Sequence, residues 1–296
     1  MRKFLAIFCL IALLSGLCAA RAEGTASFRD VTVFLDTDYV DMGDTVVAKN
    51  DSGAFYAFLD QLPNLTKVDM FATQVKADRI GEMTARYPNV TFGWTMTVGD
   101  HAVRTDQTAF STLHNNKSKA HTEADFALLK YCTNLLALDI GHNHVVDLSF
   151  LYDLPKLRVL IIGRNSITDI TPVGSLKDLE YLEMFTLKVT DLSPLAGLTH
   201  LMDLNIAYNQ VKDFTPLYGL TQLKRLWMHN SNNYLETDRV PAEVMQELST
   251  RLTNCEIDEI SHPTGGTWRE HPHYTVIYDM FKSGVYIPFE DSWPLE

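Results

Sequence analysis

LRVLIIGRNSITDITPVGSLKD, residues 157–178, is followed by LEYLEMFTLKVTDLSPLAGLTH, residues 179–200, and LMDLNIAYNQVKDFTPLYGLTQ, residues 201–222. The segments align without a gap at a period of 22 residues, and a fixed period of that size decides the architecture ahead of any single side chain. The pattern is L-x-x-L-x-L-x-x-N. Its rows are Leu135-Leu138-Ile140-Asn143, Leu157-Leu160-Ile162-Asn165, Leu179-Leu182-Met184, Leu201-Leu204-Ile206-Asn209 and Leu223-Leu226-Met228, with Leu187 standing in the third row where asparagine is expected. The first, fourth and sixth positions point inward, and a second set such as Leu192, Leu195 and Leu198 returns from the opposite side. No coil buries these alone, so neighbouring coils supply the missing walls and stability is cooperative along the stack.

These rows, with the segments DLSFLYDLPKL, DITPVGSLKDL, DLSPLAGLTHL and DFTPLYGLTQL that follow them, resemble the leucine-rich repeat family in its 22-residue bacterial form, like that of the internalins. The resemblance implies an α/β fold: a right-handed solenoid with a parallel concave β-sheet and capped ends. It also implies that Asn143, Asn165 and Asn209 are structural, their side-chain amides bonding to backbone groups of adjacent coils. An amide suits that position because it both donates and accepts. Leu187 interrupts the ladder, and a local change in the turn is expected there.

The array extends beyond its centre. Val40-Asp41-Met42 and Val68-Asp69-Met70 are the same tripeptide, and Leu65-Val68-Met70 is echoed by Tyr87-Val90-Phe92. Apolar spacing and the stops at Pro63 and Pro88 predict helices over Ala54 to Leu62 and Arg79 to Arg86. A solenoid running from about Val31 to Ile257 follows. Alternation over Thr95 to Val98 and Ala102 to Thr105 around Gly99-Asp100 reads as a hairpin, His114 to Thr122 as a polar loop, and Phe126-Leu129-Cys132 as a half repeat. Pro241 to Leu252 reads as a helix started by Thr237 or Asp238, leading to a closing strand at Cys255. From Ser261 onward the aromatic tail, with Trp268, Tyr274, Tyr278, Phe281, Tyr286, Phe289 and Trp293, is assigned to capping the last coil; a ligand pocket is the alternative. The expected layout is a signal peptide over 1–22, an amino-terminal cap with divergent coils and a hairpin insertion over 23–134, regular repeats over 135–230, and a carboxyl-terminal cap with the aromatic tail over 231–296.

The opening MRKFLAIFCLIALLSGLCAARA has two basic residues, an apolar run from Phe4 to Leu17, and Ala20 and Ala22 framing Arg21, the marks of a cleavable export signal. A location outside the cytoplasm or at the cell surface follows. Lipid attachment at Cys18 competes, but Leu17 stands where a small residue is needed. No later run reaches the ~18–20 apolar residues of a membrane span. The full chain holds 25 Lys and Arg against 37 Asp and Glu; loss of Arg2, Lys3 and Arg21 leaves 22 against 37, a net charge of −15. Such a protein is repelled by phosphate backbones and anionic lipid, which excludes nucleic acid as an expected partner. Of the cysteines beyond the signal, Cys132 and Cys255 are about five coils, or ~24 Å, apart at one strand spacing per coil, too far to bridge. They are expected to be free, buried thiols.

Strand alternation defines the concave face. Its columns read Ala137, Val159, Tyr181, Asp203, Arg225; then Asp139, Ile161, Glu183, Asn205, Trp227; then Gly141, Gly163, Phe185, Ala207, His229. Aromatics and arginine dominate binding energy at interfaces. The expected partner-binding set is therefore Tyr181, Glu183, Phe185, Asp203, Asn205, Tyr208, Arg225, Trp227 and His229, offered to a protein ligand by a monomeric chain. Coverage of these side chains by the flanking loops or by the carboxyl-terminal tail is the plainer alternative. Carbohydrate binding is a third class, with Tyr181, Phe185 and Trp227 stacking on sugars. Enzymatic motifs with a supporting context are lacking, so no catalytic, cofactor or metal residues are expected. A metal-dependent enzyme built on His262, Glu270, His271 and His273 is the weakest reading. Asp36, Asp38, Asp41 and Asp44 suggest a calcium loop, but Val40 and Asp41 occupy positions where an EF-hand needs a ligand and a glycine.

Overall fold

The computed structural model describes residues 24–113, 120–229, 231, 240–259 and 266–289. The expected export signal with Cys18, most of the polar stretch from His114, Thr237 and Asp238, His262 and Trp293 lie outside them. The described chain forms two compact units, one comprising residues up to Thr73 with Gly81–Gly93, the other Gln74–Ile80 with everything from Trp94 on.

In the first unit, β1 (Thr25–Phe28) and β2 (Val31–Phe34) form an antiparallel hairpin. β2 is thus not the first coil of the array, as the sequence suggested, because its partner is the preceding strand. The repeated tripeptides form β3 (Tyr39–Asp41) and the start of β4 (Lys67–Gln74), paired in parallel with Val40 opposite Val68. Val40, Met42, Val68 and Met70 are all buried. Between them, α1 (Ser52–Leu59) packs Phe55 edge-on against Phe28 at 5.4 Å. Asp41 Oδ1 accepts from Gly43 N–H at 2.9 Å and so serves its own turn. α2 (Ala77–Arg86) joins β4 to β5 (Thr91–Val98).

In the second unit, β5 turns at Gly99–Asp100 into antiparallel β6 (His101–Arg104). The sheet order β3-β4-β5-β6 ends there, and a separate sheet begins. The single continuous array expected from Val31 is therefore two sheets: the hairpin reverses the chain and ends the parallel run. The second sheet has seven parallel strands, β7 (Ala109–Ser111), β8 (Ala137–Asp139), β9 (Val159–Ile161), β10 (Tyr181–Glu183), β11 (Asp203–Asn205), β12 (Arg225–Trp227) and β13 (Glu256–Asp258), in sequential order. Its central row, Phe110, Leu138, Leu160, Leu182, Leu204, Leu226 and Ile257, is in strict register. The five leucines are buried.

Two further ladders repeat with the same period. Asp147, Asp169, Asp191 and Asp213 each accept the backbone N–H two residues on, at 2.7–2.9 Å, an Asx turn that starts the 3-10 segments Ser149–Asp153, Thr171–Ser175, Ser193–Leu195 and Thr215–Leu217. The Ser149 and Thr171 hydroxyls, followed by these backbone bonds, hold the Asp147 and Asp169 carboxyls below the usual range, and the Thr215 backbone and hydroxyl bonds do the same for Asp213. On the other ladder, the Asn165 amide donates to Ile140 O and Ile162 O at 2.9 Å and accepts Val145 N–H at 3.0 Å. Asn209 does the same with Met184 O, Ile206 O and Val189 N–H. Asn143 bonds Ile140 O, Thr112 Oγ1 and His121 N–H. Each such turn contains a residue in the left-handed region, His142, Arg164, Thr186 and Tyr208, with φ of 54–60°. Thr186 keeps that conformation beside Leu187, so the turn does not change where asparagine is missing. Leu187 is buried and replaces the amide by apolar packing.

After α4 (Ala242–Arg251) and β13, α5 (Gly266–Glu270) and α6 (Pro272–Ser283) pack on the sheet face opposite the leucines. The expectation that this tail closes the final coil is thereby corrected. It runs back across the sheet as a strap, because its aromatics match the columns left uncovered there.

Candidate interaction surface and its strap

The small side chains Ala109, Ala137 and Val159 leave room on β7 to β9, and Ile277, Met280 and Phe281 of α6 fill it. Full burial of each large apolar side chain stabilises by about 1.5–3 kcal/mol. On β10, the Tyr181 ring stacks on Phe289 at 5.7 Å and lies 5.7 Å from Trp268, whose Nε1–H donates to the Tyr181 hydroxyl at 3.0 Å. That hydroxyl in turn donates to Glu183. On β12, Trp227 stacks on Trp268 at 5.8 Å, and the Arg225 guanidinium sits 4.1 Å from the Trp268 ring centre. Gly284, at φ 72°, ends α6 and lets the chain turn, as a left-handed helix cap requires. Its carbonyl then accepts Ala109 N–H at 3.1 Å, and Tyr286 N–H donates to Thr108 Oγ1 at 2.8 Å.

The polar centre of the strap is Asp203, fully buried on β11. One carboxylate oxygen accepts from Arg225 Nε, and the other lies 2.6 Å from His273 Nδ1. Burial pushes the Asp139 carboxyl up to about 7 despite bonds from Ser111 and Gly141, and it raises Glu183 as well. Burial drives the Tyr181 phenol well above its ordinary range and lowers the His271 imidazole to about 4. Shifts of this kind occur in active sites, but here Tyr181 and Glu183 bond to each other, Asp139 accepts from Ser111 and Gly141, and His271 accepts the His273 backbone N–H. A cavity of about 40 Å³ lies beside Arg225, Trp227, Glu256, Asp258 and Trp268. It has room for a water and not for a sugar or cofactor. His271 and His273 stand ring to ring at 4.6 Å, yet with His273 committed to Asp203 they do not join a set of three converging ligands among the described residues. Cys132 and Cys255 are free; Cys132 is buried as expected whereas Cys255 is only half-buried, and burial pushes both thiols up to about 12.

Residues 155–197 match the family model of two leucine rich repeats. The fold is a leucine-rich repeat solenoid. Among solved structures, it is similar to internalin C2 from Listeria monocytogenes, with 23% identity over 57% of this chain and 74% of that one and a TM-score of 0.36. A second Listeria monocytogenes internalin gives 18% identity over 69% and 76% with a TM-score of 0.38. A leucine-rich repeat protein of Leptospira interrogans gives 17% over 68% and 50%, also at 0.38. No curated protein matches the sequence. No helix among the described residues is long and apolar enough to cross a membrane.

The leucine-rich repeat face is not open at five of the nine positions expected to bind a partner. Tyr181, Glu183, Asp203, Asn205 and Arg225 are buried, since strand alternation points them at a face that the chain itself covers. Phe185, Tyr208, Trp227 and His229 remain partly exposed. Phe185 lies over Gly163, where an added Cβ would come within 2.5 Å of its ring, and meets His142 edge-on at 6.2 Å. Tyr208 meets His229 edge-on at 5.1 Å. With exposed His142 and Arg164 these make a ridge at the carboxyl ends of the strands. Sequence reasoning missed His273 as the partner of Asp203. The signal available was an aspartate in a buried column, whose second carboxylate oxygen needs a hydrogen-bond donor besides Arg225.

Proposed function

We propose that this protein is an exported protein-binding module whose partner docks on the ridge formed by Phe185, Tyr208, Trp227 and His229, flanked by His142 and Arg164. Repeat arrays offer extended surfaces suited to binding. The observation that carries the reading is the left-handed turn recurring at His142, Arg164, Thr186 and Tyr208, which sets one side chain per coil along the ridge. Aromatic and basic residues are the types that anchor interfaces. Tyr181, Glu183, Asp203, Asn205 and Arg225 then serve the partner indirectly, by holding the strap that shapes the neighbouring surface. The amino-terminal signal pattern supports a secreted or surface location. Affinity capture from the native environment with the wild-type chain, compared with a Phe185→Ala, Tyr208→Ala double variant of unchanged melting temperature, tests this. Loss of a specific protein with the variant is expected. Equal capture by both, or retention of a polysaccharide in place of a protein, overturns it.

A further inference from the structure

We propose that Asp100, His101 and His121 form a zinc-binding site at the tip of the β5–β6 hairpin. The hairpin turns through Gly99 at φ 60° and Asp100, so His101 opens the returning strand opposite Val98. The His121 ring packs directly over this turn: a Cβ on Gly99 would lie 2.5 Å from it. Glycine is therefore required twice, for its backbone angle and for the approach of the imidazole. His121 is fixed by the repeat itself, its N–H donating to Asn143 Oδ1 and its carbonyl accepting His144 N–H, both at 2.8 Å.

The two imidazoles converge on one carboxylate oxygen. Asp100 Oδ1 lies 3.1 Å from His101 Nε2 and 3.0 Å from His121 Nε2, and the three ligating atoms all lie within 4.8 Å of one another. Ligands at ~2.0–2.1 Å from a tetrahedral zinc ion are ~3.3–3.4 Å apart, so the ion requires an outward shift of only a few tenths of an ångström along these two edges. Aromatic rings set both imidazole planes: Phe110 stands edge-on to His101 at 5.7 Å, and Phe126 edge-on to His121 at 6.2 Å. Behind His121, its Nδ1 faces Asp125 Oδ2 at 3.8 Å, and that oxygen is anchored by Thr122 N–H at 3.0 Å. A carboxylate behind a ligating histidine fixes its tautomer and raises its basicity. Two nitrogens and one oxygen select zinc over calcium or magnesium, and a water completes the fourth position. The ion would pin the hairpin tip to the segment that enters the first asparagine turn.

The test uses the untagged full chain, stripped with chelator and titrated with zinc against a chromophoric competitor. One equivalent is expected, with His101→Ala losing it and Asp125→Asn weakening it by about tenfold. His271→Ala must retain it, which separates this site from the tail histidines. Cobalt should give the visible absorption of a four-coordinate ion in the wild type and not in His101→Ala. Zinc at roughly 100 times its dissociation constant should raise the wild-type melting temperature by about 5 °C; His101→Ala should melt as the metal-free wild type does and gain nothing. Equal zinc binding by wild type and His101→Ala, absence of a bound equivalent, loss with His271→Ala, or equal competition by calcium overturns the proposal.

Discussion

The two faces of the seven-stranded sheet are built on opposite plans. On one, the same residue type recurs in register, Leu138, Leu160, Leu182, Leu204 and Leu226, and each leucine meets its copy in the next coil. On the other, Ala137, Val159, Tyr181, Asp203 and Arg225 are all different: the first two join the apolar cluster under α6, and the last three each meet a particular residue of the strap. Periodic packing tolerates the addition of coils because every interface is alike. The strapped face does not, since sliding the tail by one coil would set Trp268 on Asp203 and His273 on Tyr181.

The comparison can be broken most sharply at Asp203. Asp203→Ala leaves Arg225 and His273 buried without their shared carboxylate, and loss of one partner from such a group costs about 3–5 kcal/mol. Urea unfolding should show that loss, and hydrogen exchange should show 272–283 deprotected before the coils. Uniform deprotection of sheet and strap would mean that the two faces are not energetically distinct. On the leucine face, Leu182→Ala should cost about 2–5 kcal/mol and loosen neighbouring coils ahead of the strap. A variant unfolding at the parental urea midpoint would contradict the inward assignment.

The third effect is smaller and depends on pH. The folded Asp139 carboxyl titrates near 7, above its ordinary value of 3.8, so between these values the folded state holds a proton that the unfolded state has released. Stability therefore falls as pH rises through that window, by about 2 kcal/mol after allowance for relaxation around the charge. Asp139→Asn should flatten the profile between about pH 4 and 7 and exceed the wild type in melting temperature above that window. An unchanged slope would show that Asp139 ionises without penalty beneath the strap.

The difference between the faces also explains what could be read from sequence. The leucine rows, the asparagines at 143, 165 and 209, the hairpin at Gly99–Asp100 and the parallel pairing of the two Val-Asp-Met segments all follow from spacing, because each depends on neighbours at a fixed offset. Occupation of the outer columns depends on a match between Tyr181 and residues near 268 and 289, which no period relates. Exposed aromatics on a strand surface invite both a binding reading and a covering reading, and alternation alone assigns the face without saying what lies on it. The zinc-site residues were illegible for the same reason. Asp100 and His101 are neighbours, but His121 reaches them only through the asparagine turn that positions its backbone.

The bond from Tyr286 to Thr108 spans 178 residues, whereas contacts between coils are made about one repeat apart. Most of the array can therefore assemble in the order in which it is synthesised, but its closure by the strap has a high contact order and waits for the strap to be made. Once closed, the strap fastens β7 through Gly284 and Tyr286 and β12 through Trp268, so fraying at one must work against the other.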